Sequence, residues 1–147
     1  MGRGTATDAP RASEEAPLKA FLDTNVLVRH LTGDPPEMAK RATATLAADG
    51  QLLLTDLVLA ECVYVLESFY EVGRSRAAEL MRAAIALPSV AVLDARLLLR
   101  SLEVYEIDRL DFAEAYLIAC AEATGVAAVL SFDRTIDRIK TVKRIES

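Results

Sequence analysis

The stretch Ala20-Phe21-Leu22-Asp23-Thr24-Asn25-Val26-Leu27-Val28, AFLDTNVLV, decides how the chain is to be read. An apolar run stops at three polar residues and then resumes, with no Gly or Pro to mark a simple turn. To its left, Lys19 to Asp23 reads as a short strand; to its right, NVLVRHLTG reads as a helix ending near Gly33. A strand passing directly into a helix through an acid is the start of an α/β fold, and the pattern continues along the chain.

The segment PPEMAKRATATLAADG predicts a helix with Pro at its start and Gly at its end. QLLLT predicts a second strand, and DLVLAECVYVLESFYEVG a long helix capped by Asp56 and ended by Gly73. SRAAELMRAAIALP is a further helix, VAVLD a third strand, and ARLLLRSLEVYEI and DFAEAYLIACAEATG two more helices. AAVLS is a fourth strand, FDRTIDRI a short turn and TVKRI an edge strand. Alternating strands and helices predict a three-layer α/β/α sandwich on a mainly parallel sheet. Such sheets bind ligands outside the carboxyl ends of their strands, which places Asp23, Thr24 and Asn25 at the working rim.

At 147 residues the chain makes one domain, assigned here to residues 18–147, preceded by a polar, Pro-bearing tail over residues 1–17. That tail has no apolar core of a signal peptide and does not meet the myristoylation pattern. No apolar run is long enough to span a membrane. Cys62 and Cys120 lie far apart in apolar helical sequence and read as small buried hydrophobes in a reducing cytosol, so the chain is expected to be cytoplasmic. The single histidine, His30, excludes a His-rich zinc site. Aromatics make up 5% and Trp is absent, which argues against a base-stacking platform. The net charge of -5 is unusual for a nucleic-acid binder, although Arg134, Arg138, Lys140, Lys143 and Arg144 crowd the end of the chain.

Four further acids stand where a surface acid would not. Glu61 has Leu57, Val58, Tyr64 and Val65 at helical neighbour positions, an apolar stripe around a carboxylate. Glu114 has Leu110, Asp111, Leu117 and Ile118. Asp111 and Glu114 have the spacing of a capping box, an alternative that needs no chemistry. Asp133 follows the fourth strand as Asp23 follows the first; a cap for the turn after it is the alternative there. Together these residues predict a pocket of three to five carboxylates, which cannot all ionise without a cation. All-oxygen ligands point to Mg²⁺ or Mn²⁺, with Asp23, Asp111, Glu114 and Asp133 as ligands and Thr24, Asn25, Thr55 and Ser131 orienting them. An acidic metal pocket suits hydrolysis of a phosphodiester backbone.

The blocks FLDTNVLV, TDLVLAECVYVLES, DFAEAYLIACAEATG and SFDRT, in that order, resemble the signature blocks of the PIN domain, and more narrowly of the VapC-type toxins. The resemblance covers the chain from about Leu18 onward. It implies a metal-dependent endoribonuclease acting on RNA, a homodimer, and a cognate antitoxin protein that holds it inactive. It maps the family acids to Asp23, Glu61 and Asp133, with Ser131 and Thr55 at hydroxyl-bearing positions. At the third acid the chain departs: Glu114 stands where an Asp is usual, and Asp111 keeps its Asp three residues earlier. Asp23, Glu61, Asp111, Glu114 and Asp133 are thus the candidate catalytic acids, and Arg29, Arg134 and Arg138 candidate phosphate contacts. The competing reading is a catalytically weak RNA- or partner-binding module on the same fold. A haloacid-dehalogenase-like enzyme would need a second Asp where Asn25 stands.

Overall fold

The computed structural model describes residues 17–146; the N-terminal tail assigned above lies, apart from Pro17, outside them. The described chain holds strands β1 (Leu18–Phe21), β2 (Gln51–Leu53), β3 (Val90–Ala91), β4 (Ala128–Leu130) and β5 (Lys143–Ile145). Between them run helices α1 (Thr24–Thr32), α2 (Pro36–Ala47), α3 (Asp56–Ser68), α4 (Arg74–Ile85), α5 (Ala95–Glu103) and α6 (Phe112–Thr124). A π-helical turn, Val104–Asp108, follows α5, and a 3₁₀ turn, Arg134–Arg138, precedes β5.

Every strand pairing is parallel, as short strands joined by helical crossovers require. The strands form two sheets, β1-β2-β3 and β4-β5. Phe21 sits opposite Leu53, and Leu53 opposite Ala91. The Leu22 and Leu54 N–H groups extend the first sheet by donating to Leu53 and Ala91 carbonyls at 2.8 Å. The core gathers Leu27 of α1, Leu59 and Leu66 of α3, Met81 of α4, Leu98 and Leu102 of α5, and Ile118 of α6, all fully buried.

Local chemistry explains the helix bounds and corrects some of them. Asp56 does not cap α3; Thr55 does, its Oγ1 accepting from the Val58 N–H at 3.2 Å, because the hydroxyl one residue earlier reaches the unpaired amides. The same helix stops at Ser68 instead of running to Gly73, and Gly73 becomes the N-cap of α4. The α2 helix does begin at Pro36, but it ends at Ala48, ahead of Gly50. The expected continuous helix through Ile107 breaks into α5 and the π turn. Arg74 fixes that turn: its Nη1 donates to the Tyr105 carbonyl at 2.8 Å and the Leu110 carbonyl at 2.6 Å, and its guanidinium lies 4.6 Å from the Tyr105 ring centre. Arg109 then takes a left-handed conformation, φ 62°, turning the chain toward Asp111.

Candidate active site

The acids gather at the carboxyl ends of the strands, in two groups. The first is built from the β1–α1 junction and α3. Phe21 and Asp23 are exposed while Leu22 between them is buried, the alternation of extended chain, so the Asp23 carboxylate reaches the rim. Asp23 occupies the N-cap position of α1 without a side-chain bond to the helix, which leaves the carboxylate available. Thr24, buried, turns inward and donates its hydroxyl to Glu61 Oε1, thereby fixing the Glu61 carboxylate on α3. The Cys62 thiol, buried next to Glu61, is pushed up to about 12 by burial and then by the negative charges of Glu61 and Asp23. It is a neutral packing residue. Cys120 is half-buried, and both cysteines are free, as expected.

The second group is built from the start of α6 and the end of β4. Asp111 caps α6 by position but makes no side-chain cap bond, and Glu114 does not reach back to form the capping box. Glu114 pairs instead with Asp133. That hydrogen bond, followed by burial and by the charges of Asp133 and Asp111, raises Glu114 to about 7. The same bond, with the hydroxyl and N–H of Thr135, lowers Asp133 to about 2. The proton of the pair is therefore held on Glu114, with Asp133 ionised, until the pH rises to about 7. Asp133 also caps the 3₁₀ turn, its Oδ1 accepting from the Thr135 N–H at 2.9 Å and Oγ1 at 2.7 Å. The cap reading of Asp133 therefore holds, and the cap leaves it adjacent to Glu114. Ser131 Oγ accepts from the Asp133 N–H at 3.0 Å and sets that backbone.

The anticipated single pocket of three to five carboxylates is not closed. Among the described residues, no three of His, Cys, Asp or Glu converge in a metal-holding arrangement. The reason is geometric: β1 and β4, which Asp23 and Asp133 follow, belong to separate sheets, so the acids stand as two groups. The donor chemistry still fits a hard divalent cation, since the halves offer carboxylate oxygens and hydroxyls, and Glu114 and Asp133 need a positive charge between them. Of the orienting residues, Thr24 and Ser131 act on Glu61 and Asp133 as described. Thr55 is occupied as a helix cap, and Asn25 is exposed one residue beyond Thr24.

The arginines divide. Arg138 Nη1 donates to the carbonyls of Asp108 and Arg109 at 3.1 and 3.3 Å, bracing the π turn, so structure accounts for it. Arg134 is exposed on the turn next to Asp133, and Arg29 is half-buried on α1. Arg144, from the basic end of the chain, is paired with Asp137 and Glu146. The apolar neighbours of Glu61 do not bury it: Glu61 is exposed, and Leu57 and Tyr64 beside it are 79% and 68% exposed. Phe21, Leu117 and Phe132 are exposed as well, giving the acids an apolar collar. Sequence neighbours showed an apolar face on α3 but not that this face points outward. A cavity of about 530 Å³ lies at the other end of the strands, lined by His30, Thr43, Gly50 and Pro88, away from the acids.

A family model, the PIN domain, matches residues 20–142, most of the chain and all five acids. The chain belongs to the PIN domain family. Among solved structures, this PIN domain is similar to that of Mycobacterium tuberculosis VapC20, described as a toxin that cleaves the sarcin-ricin loop. The two are 24% identical; the match covers 81% of this chain and 93% of that chain, with a TM-score of 0.38. No curated protein sequence matches the chain.

Proposed function

We propose that the chain is a metal-dependent endoribonuclease, the toxin of a toxin–antitoxin pair, hydrolysing RNA phosphodiester bonds at the acid rim. The observation that carries this reading is the Thr24 hydroxyl held on Glu61 beside the uncommitted Asp23 carboxylate at the end of β1. Glu114 and Asp133, two acids close enough to perturb each other at the end of β4, add carboxylates that a divalent cation would neutralise. Membership of the PIN family and the order of the four sequence blocks support it.

Asp23, Glu114 and Asp133 would hold Mg²⁺ or Mn²⁺, with Asp111 at the entrance of α6. When bound, the cation supplies positive charge for the developing phosphorane and lowers the pKa of a water. Glu61, held by Thr24, would accept a proton from the attacking water, and Ser131 and Thr135 keep Asp133 oriented. Water would add to phosphorus as its proton passes to Glu61, the P–O bond opposite would break, and the leaving oxygen would take up a proton from solvent while Glu61 returns its own to solvent. Arg134, exposed beside Asp133, is positioned to meet a flanking phosphate.

The apolar collar of Phe21, Leu57, Tyr64, Leu117 and Phe132 supports protein partners over the site, namely an antitoxin segment and a second copy of the chain. No described helix is long and apolar enough to cross a membrane, and a cytoplasmic location belongs to the same proposal. The second reading, a catalytically weak RNA- or partner-binding module, is favoured by the open arrangement of the acids.

The test is cleavage of a mixed RNA pool with Mg²⁺, Mn²⁺ or chelator, beside Asp23→Asn. Metal-dependent cutting reduced at least about 100-fold in the variant supports the nuclease. Mn²⁺ binding without cutting of any RNA supports the binding module.

A further inference from the structure

The two halves of the acid rim ride on different helices. Glu61 is on α3, and Glu114 is on α6 beside Asp133. The α6 helix packs chiefly on α5, where Arg100 grips Glu122 through two bonds of 2.8 and 2.9 Å, and it meets α3 only lightly. One polar link crosses that thin seam: the Tyr116 hydroxyl of α6 donates to Asp56 Oδ2 at the first position of α3. Asp56 Oδ1 is buried and has no hydrogen-bond partner among the described residues. The phenol is therefore the one bond this carboxylate side chain makes there.

We infer that the Asp56–Tyr116 hydrogen bond sets the spacing between the two halves of the acid rim, making both residues positioning residues for metal binding. Three facts combine to this. The bond joins the first turn of α3, whose second turn carries Glu61, to the second turn of α6, whose first turn carries Glu114. The rest of what holds those helices is apolar, Leu59 and Leu66 of α3 and Ala115 and Ile118 of α6 sharing one core, so this bond is the directional tie between them among the described residues. And the half-buried Asp56 carboxylate, whose buried Oδ1 is already unpartnered, loses its remaining satisfaction if the helices part, so the bond resists any other spacing. Asp56 and Glu61 lie on different faces of α3, as Tyr116 and Glu114 do on α6, so neither Asp56 nor Tyr116 stands among the rim acids. A gap error of 1 Å matters, because Mg²⁺ and Mn²⁺ sites hold their oxygens within narrow distances.

This inference rests on the metal-site reading above, and the test separates the two. Mn²⁺ binding is measured by calorimetry on the full chain, well below the unfolding temperature, for wild type, Tyr116→Phe, Asp56→Asn and Ser89→Ala. Ser89 bonds the Leu46 carbonyl at the far end of the sheet and serves as a buried control. Tyr116→Phe is expected to weaken Mn²⁺ about tenfold, while Asp56→Asn, whose amide oxygen still accepts from the phenol, stays within about threefold of wild type and Ser89→Ala is unchanged. Wild-type affinity in Tyr116→Phe overturns the inference, and so does an Asp56→Asn loss as large as that of Tyr116→Phe, which would assign the effect to the charge of Asp56. Should wild type bind no Mn²⁺, the metal reading itself fails. Amide exchange of the metal-free protein then decides the spacing role. Exchange at Leu59–Val63 and Ala115–Ala119 is expected at least about fivefold faster in Tyr116→Phe, with the Ala128–Leu130 strand unaffected. Exchange unchanged in those segments, or raised equally throughout, overturns it.

Discussion

Glu114 keeps its proton well above the usual carboxylate range because Asp133 beside it takes its hydrogen bond and burial discourages a second charge. The sign of the consequence follows from linkage. Glu114 sits at about 7 in the folded chain, above its usual 4.5, so its proton stabilises the fold fully at low pH and that stabilisation is lost as pH rises through 7. Asp133, at about 2 against a usual 3.8, contributes stability above its usual value that is lost only as pH falls through 2. The metal-free protein is thus expected to unfold at lower temperature at pH 8 than at pH 6, and Glu114→Gln should flatten that difference; thermal melts in chelator check both. The same proton must leave before a cation enters, so Mn²⁺ affinity should rise with pH up to about 7 and level off above it, a profile read by calorimetry. Sequence alone singled out both residues but treated Glu114 and Asp111 as a possible capping box. The spacing was right for one; what it could not show was that Asp133, nineteen positions on, offers Glu114 a closer partner than the helix end does.

At the scale of elements, two small devices hold the rim. Thr55 caps α3, and Thr55→Ala should cost about 1 kcal/mol in a denaturant titration. Arg74 ties the π turn through two carbonyls, and its loss should cost about 2 kcal/mol and slow RNA cleavage by loosening the approach to Asp111. Chemical denaturation and cleavage rates of Arg74→Met check the pair of effects. The helices and strands were legible in the sequence because their periods and punctuation agree: Pro36 opens a helix, and apolar runs separate the helices. Their ends were less so. Asp56 looks like a cap by residue type, but the Thr before it has the shorter reach to Val58, and a π turn has no periodic signature that distinguishes it from the helix it extends.

Across the whole molecule, the parallel pairing of the strands followed from the alternation of elements; the division into two sheets did not. Nothing in the runs around Leu18 or Leu130 says whether β1 and β4 will pair, since both read as short apolar strands. That division leaves the acids as two groups, and under the proposed function a cation bound between them would gain thermodynamic leverage. A ligand that bridges the halves binds only the folded chain, so Mn²⁺ at about 100 times its dissociation constant should add roughly 2.7 kcal/mol to unfolding stability, with no gain in Asp23→Asn; denaturant melts with and without Mn²⁺ check it. The most direct measurement is the anomalous scattering of Mn²⁺ in a crystal of the protein soaked at pH 8. A single Mn²⁺ peak within about 2.0–2.3 Å of oxygens from both halves, Asp23 on one side and Glu114 or Asp133 on the other, is the expected result. A peak held by one half alone, or none at the acids while Mn²⁺ is in excess, would contradict the account.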